Sequence, residues 1–79
     1  MKWNERIAAA RLAKGLTQTQ LGERVNSTQS TIAKYETGER QPSFAKIERI
    51  AKETDTTPEW LAFGVGNAPK GVANKGQSD

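Results

Sequence analysis

The stretch Gln18-Thr19-Gln20-Leu21-Gly22-Glu23-Arg24-Val25-Asn26-Ser27-Thr28-Gln29-Ser30-Thr31-Ile32-Ala33-Lys34-Tyr35 decides the fold. Its apolar residues Leu21, Val25 and Ile32 recur at helical spacing, with small Gly22 and turn-competent Asn26 set among them. Two helices that meet at about 90–120° across a short turn bring their backbones together, so the first needs a small residue where the second crosses it. Gly22 fills that place. The turn needs a residue that tolerates positive φ, and asparagine is the best choice after glycine. Asn26 supplies it. Leu21, Val25 and Ile32 then face inward, which leaves the other face of the second helix free, polar and uncharged at its start.

The same reading of period and punctuation extends in both directions and predicts an all-α chain of five short helices. Helix 1 is expected over about 4–14, with Trp3, Ile7 and Ala10 on one face, Gly15 as its left-handed stop and Leu16 tucked back into the core. Helix 2 opens at Thr17, where Thr17 and Gln20 fit a capping box, and ends near Val25. Helix 3 follows Thr28, whose hydroxyl can cap the amide of Ser30 or Thr31, with Ile32 and either Tyr35 or Glu36 inward, and stops at Gly38. Pro42-Ser43 starts helix 4, where Phe44, Ile47, Ile50 and Ala51 share a face, and Thr57-Pro58 starts helix 5 with Trp60 and Leu61. Residues 4–64 make one domain. Residues 65–79 hold Gly66, Gly71 and Gly76 with only Val65 and Val72 as sizeable apolar residues, and are expected to be a flexible tail or a linker to a further domain.

Composition narrows the function. The chain has 79 residues, a net charge of +3 and neither cysteine nor histidine. Disulfides, thiolate metal sites and the commonest general base are therefore missing, and no phosphate-cradling glycine loop is present, so no catalytic site, metal or cofactor is expected. No apolar run approaches the roughly 20 residues that span a bilayer, and residues 1–6 lead into no signal peptide, so a cytoplasmic protein without membrane contact is the expectation. The positive charge suits a polyanionic partner without demanding one. It gathers towards the N-terminal half, where Lys2, Arg6, Arg11 and Lys14 face only Glu5 before Leu16.

The segments 17–25, 28–32 and 35–38, with Pro42-Ser43 and Pro58-Glu59-Trp60-Leu61, resemble the phage Cro and lambdoid-repressor (XRE-like) helix-turn-helix family, and the similarity covers about residues 4–64. Two positions depart from the family pattern: Gly22 stands where alanine is usual and Asn26 where glycine is usual. Gly22 is expected to cost about 1 kcal/mol of helix stability against alanine. The resemblance implies a five-helix lambda-repressor-like DNA-binding domain whose helix 3, over 28–37, enters the major groove of a double-stranded operator.

Carried onto this chain, the resemblance assigns base contacts to Gln29, Ser30 and Lys34. Gln29 leads, because glutamine matches the Hoogsteen edge of adenine with two parallel bonds. The Lys34 ammonium suits a guanine edge and a phosphate equally. Phosphate contacts fall to Gln18, Thr28, Thr31, Thr37, Arg40 and Lys46, with Arg40 foremost, and Gln18 is alternatively a plain helix-start residue. Arg11 and Glu36 occupy the places of a structural ion pair, or are two solvated charges. Trp60, Phe63 and Val65 are candidates for a homodimer contact that would set two recognition helices about 34 Å apart. Trp60 also suits the core, and Phe63 suits the interface better. The implied function is sequence-specific transcriptional repression. The alternative is an adaptor or antitoxin-like regulator whose main partner is another protein. No small-molecule ligand is expected.

Overall fold

The computed structural model describes residues 1–69, so most of the expected tail over 65–79 lies outside the described residues. Five helices follow one another: α1 (Trp3–Ala13), α2 (Gln18–Arg24), α3 (Gln29–Thr37), α4 (Phe44–Glu53) and α5 (Pro58–Phe63). No strand occurs among the described residues. None of their helices is long and apolar enough to cross a membrane.

The starts of α2 to α5 are written locally. The side chains of Thr17, Thr28, Ser43 and Thr57 accept from the amides of Gln20, Thr31, Lys46 and Trp60, satisfying one orphan donor per helix. Gln20 completes the capping box by accepting from the Thr17 amide at 2.9 Å.

Three helix ends share one closure with three different residues in the left-handed position. After α1, Gly15 (φ +78) lets the Leu16 amide reach the Arg11 carbonyl at 3.1 Å. After α2, Asn26 (φ 58) lets the Ser27 amide reach the Gly22 carbonyl at 2.7 Å. After α4, Asp55 (φ 56) lets the Thr56 amide reach the Ala51 carbonyl at 2.9 Å. This six-to-one bond is the Schellman ending, and it turns the chain sharply without leaving carbonyls bare.

The core is built from Ile7, Ala10, Leu16, Leu21, Val25, Ile32, Tyr35, Ile47, Ile50, Ala51, Trp60 and Leu61. The sequence left the inward choice between Tyr35 and Glu36 open, and Tyr35 takes it, with Glu36 half-buried. Phe44 corrects the expected α4 stripe: it is 56% exposed although it shares the helical phase of Ile47 and Ile50. It sits in the first turn of α4, where the helix has run past the edge of the core. After α5 the chain turns at Gly64, and Ala68 packs against the core.

Gly22 carries the close approach that the crossing requires. A β-carbon there would lie 2.9 Å from the Thr28 carbonyl carbon and 3.3 Å from the Gln29 amide nitrogen. The expected cost of glycine against alanine is therefore offset, because alanine would press on the backbone at the start of α3.

Candidate nucleic-acid interface

The exposed edge of α3 begins at its cap. The Thr28 hydroxyl accepts from the Thr31 amide at 3.1 Å and also pairs with the Thr31 hydroxyl at 3.1 Å. The next amides belong to the first turn, where donors have no intrahelical acceptor and the helix dipole is positive. Thr28, Gln29, Ser30 and Lys34 are all exposed, and Thr31 is half-buried. An outward-facing row of polar groups thus lies beside a helix start, an arrangement suited to anionic backbone and base edges.

Behind this row runs a chain of hydrogen bonds. Arg11 grips Glu36 with two of its nitrogens, Nε to Oε2 at 2.6 Å and Nη2 to Oε1 at 3.0 Å, and its Nη1 donates to the Leu16 carbonyl at 2.8 Å. The side chains are 12% and 8% exposed, so this is a nearly buried bidentate pair. Glu36 Oε1 also accepts from Gln18 Nε2 at 3.0 Å. Gln18 Oε1 in turn accepts from Gln29 Nε2 at 2.7 Å. Gln18 therefore stands at the junction of α2 and α3 with both ends of its amide engaged. Asn4 adds a second link between α1 and α3, donating to the Glu36 carbonyl at 3.0 Å.

The cations divide into engaged and free. Lys46, expected at a phosphate, donates instead to the Val25 carbonyl at 2.6 Å, and Arg49 donates to the Arg24 carbonyl at 2.9 Å. Both charges serve the carbonyl end of α2, where the helix dipole favours them. Of the N-terminal basic residues, Arg6 and Arg11 also turn inward. Arg6 donates to the carbonyls of Leu61 at 2.9 Å and Ala62 at 3.0 Å at the end of α5. Burial lowers the Arg6 pKa from the ordinary arginine value, with the neighbouring Glu5 opposing the shift. Lys14 pairs with Asp55 on the surface. Among the described residues, the side chains of Lys34 and Arg40 are exposed and hold no partner. The Thr37 hydroxyl pairs with the Lys34 carbonyl at 3.1 Å and with Glu39 at 3.2 Å.

The aromatic residues of α5 point two ways. Trp60 is 4% exposed and belongs to the core, which removes it from any subunit contact. Phe63 is 73% exposed and Val65 60% exposed. Phe63 lines an open groove with Trp3, Pro42, Phe44 and Ile47.

The HTH_3 helix-turn-helix family model matches residues 7–61. The chain belongs to this helix-turn-helix family. Among solved structures, this helix-turn-helix chain is similar to the P22 c2 repressor in complex with synthetic operator 9T. The two share 26% identity with a TM-score of 0.77, over 81% of this chain and 97% of that one. The restriction-modification controller protein C.AhdI from Aeromonas hydrophila superposes with a TM-score of 0.70 and 30% identity, over 75% of this chain and 86% of its own. The curated HTH-type transcriptional activator BcrR of Enterococcus faecalis is 33% identical over 64 residues, 81% of this chain. The helix-turn-helix chain spans only 31% of the length of that relative. The fold is that of lambda-repressor-like domains, and the type is that of helix-turn-helix transcription regulators.

Proposed function

We propose that this chain is a sequence-specific transcriptional repressor that binds a near-palindromic double-stranded DNA operator as a homodimer. The observation that carries the reading is the exposure of Gln29, Ser30 and Lys34 on α3 of a helix-turn-helix, with the start amides at one end of that helix and the exposed Arg40 just beyond the other. In this reading Gln29, Ser30 and Lys34 meet base edges in the major groove. Gln18, Thr28, Thr31, Thr37 and Arg40 hold phosphates, while Lys46 is left to α2. Repression is favoured by the likeness to the P22 c2 repressor, which extends over 97% of that chain. Phe63 and Val65 supply apolar surface for a second copy, which would bring two recognition helices one DNA turn apart.

The test begins with selection of bound duplexes from a random pool, followed by titration of the selected site and of random DNA. Gln29→Ala is expected to relax discrimination at one base position by about 5- to 150-fold. Arg40→Ala is expected to weaken all duplexes alike and to flatten the dependence of log K on log salt by about one unit. Equal effects of the two substitutions on selected and random DNA would refute the assignment. A reporter placed behind the selected site separates repression from activation, the role carried in the name of BcrR.

A further inference from the structure

An α-helix that ran on past Thr37 would bond the Arg40 amide to the Glu36 carbonyl, one turn back. That carbonyl is claimed from elsewhere. Asn4, in the first turn of α1, donates its side-chain Nδ2 to the Glu36 carbonyl at 3.0 Å. The Arg40 amide turns instead to the Lys34 carbonyl at 3.3 Å, and Gly38 between them takes φ +83. The Asn4 side chain also lies over Gly38, where a β-carbon would come within 3.6 Å of its Cγ. Trp3, the neighbour of Asn4, lines one groove together with Gln41 and Pro42. The first turn of α1 thus meets the connection between α3 and α4 on both sides of Arg40, whose own side chain is exposed.

We infer that Asn4 is a positioning residue for contact with the DNA backbone: by claiming the Glu36 carbonyl it diverts the chain out of α3 and sets the place from which Arg40 reaches a phosphate. This rests on the reading of Arg40 as a phosphate contact given above. The last carbonyls of a helix lack donors of their own, and here a side chain from a different helix supplies one. Gly38 does not fix the stop alone, because glycine populates the helical and the left-handed regions about equally well. Without the Asn4 amide, the Glu36 carbonyl is open to the Arg40 amide, and pairing them would wind α3 onward and swing Arg40 around the helix axis. A guanidinium grips phosphate oxygens as a rigid fork, so displacing the backbone that bears it loses those bonds.

The experiment uses the full chain with its selected duplex and with random DNA, and reads the slope of log K against log salt. Asn4→Leu keeps the bulk over Gly38 and removes the donor, while Asn4→Ala removes both. Each is expected to flatten the slope by at least about half a unit on both kinds of duplex, towards the loss of about one unit in Arg40→Ala. Base preference at every position is expected to stay native, since a phosphate carries no sequence. In an Arg40→Ala background, Asn4→Leu is expected to leave the slope where it is and to change affinity by less than about 2-fold.

A bond that only held the fold together would lower the melting point and leave the slope native. Melting is therefore followed by circular dichroism for every variant, and binding is measured well below the lowest midpoint. Should Asn4→Leu lose its helical spectrum, Asn4→Ala decides in the same way. If the folded variant keeps the native slope, or flattens it equally with and without Arg40, the positioning role is overturned and Arg40 keeps its reading as a phosphate contact. If Arg40→Ala changes the slope on neither duplex, the phosphate reading falls and the positioning role falls with it.

Discussion

Arg11 shows how much one residue can carry here. Its guanidinium makes two bonds to Glu36 and one to the Leu16 carbonyl from an almost buried site. The pair adds little net stability, since both charges lose water, but removing one partner strands the other. Arg11→Ala is therefore expected to lower unfolding free energy by about 3–5 kcal/mol, read from urea denaturation followed by circular dichroism. A cost under about 1 kcal/mol would mean that the pair behaves as a solvated surface contact. The surface pair of Lys14 with Asp55 is the internal comparison, and its loss should barely register.

At the scale of elements, the crossing of α2 and α3 sets the tolerances. Gly22→Ala gains about 1 kcal/mol of helix propensity, yet its β-carbon would lie 2.9 Å from backbone that cannot move aside alone. The net expectation is a loss of about 1–3 kcal/mol, with DNA affinity falling as the start of α3 is displaced. A melting point equal to or above that of the native chain would contradict it. The helices themselves were legible because their signals are local: Thr17, Thr28, Ser43 and Thr57 cap within three residues, and Gly15 and Asn26 turn the chain where they stand.

What escaped the sequence depends on distance in the fold. Nothing near Lys46 announces that the Val25 carbonyl will lie 2.6 Å from it, and nothing near Arg6 announces Leu61. The bond between Gln18 and Gln29 joins two helices whose crossing angle decides whether the amides meet. Phe44 was misread because periodicity gives the phase of a stripe and not the place where its neighbour ends. Asp55 escaped as a left-handed corner because aspartate is a weaker turn signal than glycine or asparagine. Arg11 and Glu36 were suggested by resemblance alone, since residues 25 apart leave no local trace of pairing.

For the molecule as a whole, the exposed Phe63 sets the question of assembly. It stands on the short α5, and Val65 follows it, while Trp60 is already committed to the interior. If the proposed homodimer is joined through this residue, Phe63→Lys is expected to shift it to monomer in sedimentation measurements while leaving the helical spectrum unchanged. Affinity for a palindromic site should then fall by about 10-fold or more, with binding to a single half-site preserved, because only the linkage between two reading heads is lost. Unaltered sedimentation would place the subunit contact elsewhere.

The corner between α2 and α3 is stitched from inside and from outside. Asn26 closes it through the Ser27 amide, and Lys46 and Arg49 hold the last carbonyls of α2 from the neighbouring helix. A reading head fastened in this way reaches its target with its shape already set, and little chain freedom is left to surrender on docking. Its selectivity then has to come from what the side chains touch, since no folding transition is held in reserve to reward the right sequence.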